Sequence, residues 1–169
     1  MNCNNYRPIT ILKVAYKIYA IILKSRLTEI TENKLGEFQM GFRPNRSTIG
    51  NIFMIRQIFE KCWEYNIELH NIFVDYSQAF DSVNRNKIIE CLIKYEVPKT
   101  IIKLIGLTLN NSIAKVKISN QFRNEFRIDS GVKQGDPLSI TLFSIVIDNA
   151  IKQLDLKGNM SKRIKQCSA

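Results

Sequence analysis

The stretch HNIFVD, residues 70–75, is the feature that most restricts what this chain can fold into. Its run of β-branched and aromatic residues, Ile72 to Val74, is typical of a buried strand. Segments with helical periodicity precede and follow it in the sequence. A strand with helices on both sides predicts an α+β fold, in which helices pack on a sheet, rather than a sandwich of two sheets.

Apolar residues at helical spacing predict five helices. They begin near Leu12, Thr48, Asn84, Pro98 and Pro137, and the first, second and last of them end near Ile30, Glu64 and Leu154. Two of these helices are preceded by capping signals. A loop at 36–48 ends at Ser47 or Thr48, which would cap the second helix, whereas Asp136, followed by proline, would cap the last.

The region before the last helix predicts a β-hairpin. Residues 114–119 alternate apolar with basic side chains, residues 122–128 would form the partner strand, and Asn120 lies at the turn. One face of this hairpin would be positively charged. Because the sequence contains no repeats, low-complexity tracts or linkers, we expect residues 1–169 to form a single folded unit.

The charge balance favours a polyanionic partner without identifying it. Lysine and arginine number 25 against 15 acidic residues, which gives a net charge of +10. Basic faces bind phosphate backbones through counterion release, but a solvated positive surface explains the same excess equally well. His70 is the only histidine, so clusters of histidine ligands are excluded, and no phosphate-binding loop or dinucleotide fingerprint occurs.

The sequence also predicts a soluble protein of the nucleus or cytoplasm. The apolar run IYAIIL, residues 18–23, lies between Lys17 and Lys24 and is too short to span a bilayer or to act as an export signal. The four cysteines are too scattered for a zinc or redox site. We therefore expect reduced thiols in an intracellular protein.

Two segments contain candidate functional residues. A carboxylate at the end of a buried strand, such as Asp75, is costly unless it is paired or holds a cation, and Mg²⁺ prefers carboxylate oxygens. Taken alone, Asp75 is better explained as a residue that caps the next turn or pairs with a lysine. Asp81 is interpreted as a turn and capping residue for the helix that follows. The loop at 129–139 combines glycines with Gln134 and a helix N-terminus, which suits a phosphate or a base but also an ordinary turn.

Four segments fit one pattern, in order: NYRPIT (5–10), QMGFRPNRST (39–48), FVDYSQAFDSVN (73–84) and GVKQGDPLSITLF (131–143). Together they resemble the reverse transcriptase domain of non-LTR, LINE-type retrotransposons over nearly the whole chain. The resemblance implies a right-hand polymerase with an antiparallel sheet and packed helices. It places the fingers at about residues 1–70 and part of the palm, with interleaved fingers elements, at 71–169.

The implied chemistry is transfer of a nucleotide from a dNTP to a primer 3′-hydroxyl, with two Mg²⁺ ions stabilising the attacking and leaving oxygens. By resemblance, Asp75 is the first metal-binding, catalytic aspartate, assisted by the backbone carbonyl of Tyr76. Phe80 lies under the sugar and excludes a 2′-hydroxyl by its bulk, although it can also be a core residue. Gln134 and Gly135 belong to the loop over the incoming nucleotide and the template base.

Basic residues of the fingers complete the implied site. Arg7 and Lys13 match the position that neutralises the triphosphate, a task suited to a guanidinium fork. Arg43 and Arg46 would line the template path, with a solvated loop as the alternative for Arg46. The implied partners are an RNA template, a DNA primer and a dNTP, with no membrane and no small-molecule cofactor.

One family motif is missing from the sequence. The family's aromatic-x-Asp-Asp turn supplies the remaining metal-binding aspartates, but no two aspartates are adjacent here. The thumb and the endonuclease also lack counterparts. We therefore expect a partial domain that is inactive alone, marginally stable and prone to aggregate. Two alternatives stay open: a non-catalytic nucleic-acid-binding remnant of a decayed element, and a mobile-intron type of reverse transcriptase.

Overall fold

The computed structural model describes residues 9–154, which form six helices and four short strands. The helices are α1 (Val14–Thr31), α2 (Thr48–Glu64), α3 (Ala79–Ser82), α4 (Arg85–Lys94), α5 (Lys99–Leu109) and α6 (Pro137–Gln153). The strands are β1 (Ser112–Ala114), β2 (Lys117–Ile118), β3 (Gln121–Phe122) and β4 (Phe126–Ile128). This mixture of helices with a small antiparallel sheet is consistent with the predicted α+β class.

Helix α6 lies at the centre of the core, where it packs against α1 and α4, while α5 packs against α4 and α1. The buried residues Leu138, Leu142 and Ile145 of α6 recur at helical spacing and so form one apolar stripe. The partner residues on the other three helices are almost fully buried: Leu23 and Leu27 of α1, Ile88 and Leu92 of α4, and Ile105 of α5. Helix-on-helix packing therefore forms the core.

The predicted capping residues occupy the helix starts. The Ser47 hydroxyl accepts a hydrogen bond from the backbone N–H of Ile49 at 3.2 Å, and the Asp136 carboxylate accepts one from Leu138 at 3.0 Å. Each satisfies a donor that has no partner inside its helix. The helices at 48–64 and 137–153 thus confirm their predicted starts.

The predicted hairpin is present and is longer at its base than expected. Strand β2 pairs with β3 around a two-residue turn, and β1 pairs with β4 from Ser112 onwards. Ser119 and Asn120 in the turn both have positive φ, 46° and 68°. Two such residues match the right-handed twist of the flanking strands, which explains why the hairpin closes at Asn120.

The strand predicted at residues 70–75 is wrong. The structure places these residues in an irregular segment, with Ile72, Phe73 and Val74 exposed to solvent. A β-strand is stable only beside a hydrogen-bonded neighbour, and the paired strands within residues 9–154 are those of the hairpin alone. An apolar run specifies what would be buried in a sheet but does not supply the partner strand.

Helix α2 differs from the other long helices because none of its residues is buried. Its apolar side chains, among them Ile52, Phe53 and Trp63, are exposed.

Among the helices of residues 9–154, none has both the length and the apolar character needed to cross a bilayer.

Candidate functional site

The candidate site forms where the loop at 129–136, between β4 and α6, packs on helix α3. The backbone N–H of Gly131 donates to the carbonyl of Val83, and that of Val132 donates to the carbonyl of Phe80, both at 2.8 Å. These two bonds hold the loop alongside α3. Segments about 50 residues apart in the sequence are thereby brought into direct contact.

Gly131 allows this close approach. Its φ is +76°, and a Cβ at this position would lie 2.5 Å from the backbone oxygen of Asp81. Any other residue would adopt an unfavourable left-handed conformation and would also clash with backbone atoms. The glycine is therefore required by the packing of the loop on α3.

Gln134 is held by contacts on both its side chain and its backbone. Its Nε2 donates to Oδ2 of Asp81 at 2.9 Å, and its carbonyl accepts from the N–H of Thr10 at 2.9 Å. Gly135 follows with φ +100°, and a Cβ there would lie 3.2 Å from the Thr10 oxygen. The structure thus brings Gln134 and Gly135 together with the motif that contains Phe80.

Asp81 has a role that the sequence did not reveal. The interpretation as a turn residue is consistent with its place in α3, but Asn84 caps α4, with its Oδ1 accepting from Asn86 at 2.9 Å. The Asp81 carboxylate instead orients the Gln134 amide. No local pattern could have indicated this contact, because its partner is remote in the sequence.

Phe80 lies at the junction of the site and the core. Its ring stacks on Phe143 of α6 with centroids 4.7 Å apart and an interplanar angle of 26°. The stacking of two aromatic rings contributes stability beyond the area that it buries. Phe80 is therefore a packing residue in this structure, and its predicted contact with a sugar stays a prediction.

A cluster of polar side chains holds the start of α6 beneath the loop. The Tyr16 hydroxyl donates to the Asp136 carboxylate at 2.6 Å, and the Lys133 ammonium lies 4.7 Å from the centroid of the Tyr16 ring. Burial, reinforced by the hydrogen bond to Asp136, raises the pKa of Tyr16, so its phenol remains a neutral donor. Burial lowers the pKa of Lys133. These contacts fix α6 relative to α1.

Arg85 also holds the 129–136 loop in place, a role that the sequence analysis did not predict. Its guanidinium donates to the carbonyls of Leu109 at 2.5 Å, Ile128 at 2.6 Å and Gly131 at 2.9 Å. One side chain thereby joins the ends of α5 and β4 to the loop. Burial lowers the pKa of Arg85, but from so high a value that the side chain remains charged.

The predicted metal ligand Asp75 lies outside this arrangement. Asp75 and Tyr76 are exposed in the irregular segment before α3, and no three His, Cys, Asp or Glu side chains of residues 9–154 cluster closely enough to hold a metal ion. The expectation that Asp75 lies at the end of a buried strand is therefore wrong. The described residues do not by themselves fit a two-metal centre.

Arg43 supports its own loop. Its guanidinium binds Oε1 of Glu32 through Nη2 at 2.8 Å and Nε at 3.0 Å, and it donates to the carbonyls of Gly36 at 2.8 Å and Gln39 at 3.2 Å. Only 6% of the side chain is exposed. These two charge-assisted hydrogen bonds to one carboxylate oxygen tie the loop to the end of α1.

The other basic residues of the prediction are less constrained. Arg46 is exposed, and its guanidinium contacts Met40 Sδ at 4.0 Å. Lys13 lies exposed at the N-terminus of α1. Arg7 lies outside the described residues.

Comparisons with known proteins agree with the family that the four sequence motifs indicate. Residues 1–165 match the family described as reverse transcriptase (RNA-dependent DNA polymerase). The chain is 27% identical over 144 residues to the transposon TX1 149 kDa protein of Xenopus laevis, covering 85% of this chain and 11% of that protein. It is 29% identical over 155 residues to a retrovirus-related Pol polyprotein from a type-1 retrotransposable element R2 of Popillia japonica, covering 90% of this chain and 21% of the relative.

A third relative is named as an intron protein. The chain is 27% identical over 165 residues to a COX1/OXI3 intron 2 protein of Saccharomyces cerevisiae, covering 94% of this chain and 18% of that protein. The chain spans about a fifth or less of the length of these curated relatives. The family match nonetheless covers almost all of the sequence, and the resemblance to reverse transcriptases of non-LTR retrotransposons is confirmed. The chain belongs to the reverse transcriptase (RNA-dependent DNA polymerase) family.

Proposed function

We propose that this chain provides the nucleotide-facing part of an RNA-directed DNA polymerase of a retrotransposon, which extends a DNA primer on an RNA template. The observation that carries the proposal is the packing of the 129–136 loop on α3, with Gln134 bonded to Asp81. That contact joins the two family motifs whose residues are expected to face the incoming dNTP. Family membership supports the same reading.

The proposed roles divide by position. Phe80, Gln134 and Gly135 contact the incoming nucleotide and the template base, while Lys13 and Arg7 neutralise the triphosphate. Exposed Arg46 contacts the template backbone, as phosphate-binding arginines do. Because the Arg43 guanidinium is engaged within the chain, we propose that Arg43 acts on the template through the loop that it holds. Because copying RNA into DNA consumes dNTPs, we propose that the protein acts inside the cell.

The metal-dependent step is not assigned to this chain alone. We propose that Asp75 contributes one carboxylate to a Mg²⁺ site, since hard cations prefer carboxylate oxygens. Bound Mg²⁺ would neutralise charge that develops on the transferred phosphate. Residues 9–154 hold no further cluster of ligands to complete such a site. We therefore expect the 169-residue chain to bind template and primer without extending the primer.

The test combines binding and extension on one substrate. A labelled RNA template annealed to a DNA primer is titrated with the chain at several salt concentrations, and extension is then assayed with dNTPs and Mg²⁺ or Mn²⁺. We expect salt-dependent binding whose salt slope falls by about one on Arg46→Ala, because one phosphate contact is lost. Lys103→Ala, an exposed lysine on α5, is the matched control and should leave the slope nearly unchanged.

The outcomes separate the parts of the proposal. Template-dependent product that disappears in Asp75→Asn would show that the chain is active alone and would overturn the expectation of inactivity. Absence of any binding to the template–primer duplex would contradict the proposed function itself. Binding without product agrees with the proposal.

The intron relative supports a second candidate, a mobile-intron type of reverse transcriptase, over 94% of the chain. Both candidates require the same contacts at Gln134 and differ in the RNA that is copied. Preference for an intron RNA over a retroelement RNA in the binding assay would favour this candidate. A non-catalytic remnant, which the incomplete metal site also allows, would bind RNA but show no selectivity for a dNTP matching the template.

A further inference from the structure

A cleft of about 270 Å³ opens between α1, the loop at 35–44 and α6, away from the contact between α3 and the 129–136 loop. Its lining is mixed: Leu35, Phe42 and Pro44 are apolar, whereas Thr28, Thr141 and Ser144 carry hydroxyl groups. Lys24 and Glu32 add charges. The volume lies just below the roughly 300–1,000 Å³ of pockets for drug-sized ligands, so it suits a single ring system.

Ser144 leaves an unpaired hydroxyl beside this cleft. Its Oγ is buried and, alone among the buried side-chain oxygen and nitrogen atoms of residues 9–154, has no hydrogen-bond partner. A helical serine usually bonds to the carbonyl one turn earlier, and an unpaired buried hydroxyl is costly. Ser144 lines the cleft, so rotation of its side chain would let this hydroxyl act as donor or acceptor to a polar group bound there.

Phe42 provides an aromatic surface on the loop side of the cleft. It is 66% exposed and has φ +60°, a conformation that a bulky residue rarely adopts. The neighbouring Arg43 is fixed to Glu32 and to the carbonyl of Gly36, which holds the loop in this form. Strain that the surroundings hold in place is characteristic of binding sites.

We propose that the cleft receives one unpaired base of the single-stranded RNA template. The base would stack on the Phe42 ring, present its polar edge to the Thr141 hydroxyl and, once the Ser144 side chain rotates, to the Ser144 hydroxyl, and leave its phosphate to Lys24. Stacking on an exposed aromatic with a nearby cation is how proteins hold single strands without reading a long sequence. This inference rests on the proposed function, because it assumes that the chain carries an RNA template.

The experiment uses the 169-residue chain and an RNA template annealed to a DNA primer, so that the single-stranded overhang has a fixed register. Abasic sites are introduced one at a time along the overhang, and dissociation constants are measured by fluorescence anisotropy. We expect one position at which loss of the base weakens binding about 5- to 150-fold, as for one stacked base. The Phe42→Ala variant should bind the intact template as weakly as the parent chain binds the abasic template. In this variant the abasic site should cause little further loss of affinity.

Two further variants distinguish stacking and hydrogen bonding from general damage. Phe122→Ala removes an equally exposed phenylalanine, 68% accessible, from the hairpin and should keep the full abasic effect. Ser144→Ala should fold at least as stably, because it removes an unpaired hydroxyl, and should reduce discrimination among bases at the critical position by about 2- to 10-fold.

The possible results have distinct meanings. Binding with equal abasic effects at every position, or with effects that persist unchanged in Phe42→Ala, overturns the base site while leaving the proposed function intact. No binding of the template–primer duplex at all overturns both. A single sensitive position that loses its sensitivity in Phe42→Ala establishes the base site.

Discussion

At Gly131 the backbone of the 129–136 loop passes so close to α3 that a single added carbon would meet the Asp81 carbonyl. Gly106, in the middle of α5, is the opposite case, because a Cβ there would meet nothing within 4 Å. The two glycines show that the same residue can be essential in one place and dispensable in another. The difference lies in backbone conformation and in the neighbouring atoms.

Replacement of each glycine by alanine should therefore have effects of opposite sign. Gly131→Ala is expected to lower the free energy of unfolding by about 3 kcal/mol or more, from the left-handed backbone and the clash together. Gly106→Ala should raise it by about 0.5–1 kcal/mol, since alanine is the better helix former. Denaturant unfolding measures both. A Gly131→Ala protein as stable as the parent would rule out the close approach to Asp81.

At the level of secondary-structure elements, Asp148 on α6 ties three segments together although it is fully buried. Its carboxylate accepts from the backbone N–H of Gly36 at 2.8 Å, from the Tyr95 hydroxyl after α4, and from Lys152 at 2.7 Å. Lys152 also donates to the carbonyl of Lys34 at 2.6 Å. A buried carboxylate with this many donors is satisfied and orients the turn after α1.

Acid should weaken the fold through Asp148. Burial alone would raise the pKa of this carboxyl, but the hydrogen bonds from Lys152, Tyr95 and Gly36 outweigh burial and lower it. A carboxyl with a lowered folded pKa stabilises the protein above its unfolded pKa, about 3.9, and this contribution disappears as the pH falls through the folded value. We therefore expect the melting temperature to fall below about pH 4.

Asp148→Asn tests this expectation. It should cost roughly 2–3 kcal/mol at neutral pH, less than for a fully buried pair because Lys152 is half-exposed, and it should flatten the acid limb of the stability curve. Asp129→Asn, at an exposed carboxylate, is the control and should change stability by less than about 0.5 kcal/mol. An unchanged acid limb in Asp148→Asn would contradict the prediction.

At the level of the whole molecule, the core of residues 9–154 lies around α6, whereas α2 buries none of its residues. Its exposed apolar side chains lie in the same chain as the exposed run Ile72 to Val74. Large exposed apolar surfaces on a protein in water favour association. The sequence-based expectation of an aggregation-prone product therefore stays a prediction, now with a defined surface.

Polar substitutions on α2 should reduce self-association without destabilising the fold. Ile52→Lys combined with Trp63→Lys is expected to lower the associated fraction in sedimentation velocity and to leave the unfolding free energy within about 0.5 kcal/mol, because these side chains are exposed. Leu107→Lys on α5 has the same exposure as Ile52, 66% against 65%, and is the matched control. A monodisperse parent chain at high concentration would refute the prediction.

Local chemistry made much of this fold predictable. Helix periods, the caps Ser47 and Asp136, and the turn at Asn120 involve residues only a few positions apart, so the sequence alone determined them. The order of four motifs also placed the chain in its family. The loop that carries Gln134 and Gly135 packs on the helix that carries Phe80, while the roles that the resemblance implies for these residues stay predictions.

Tertiary structure decided the contacts between distant residues. The segment at 70–75 is apolar enough for a strand, but pairing depends on a neighbour that periodicity cannot reveal, and Asp75 is exposed as a result. The partners of Arg43 became apparent only when its loop met the end of α1. Likewise, Gln134 binds Asp81 across 53 positions because Gly131 lets two backbones touch. The sequence determined which chemical groups are present, and packing alone decided which of them meet.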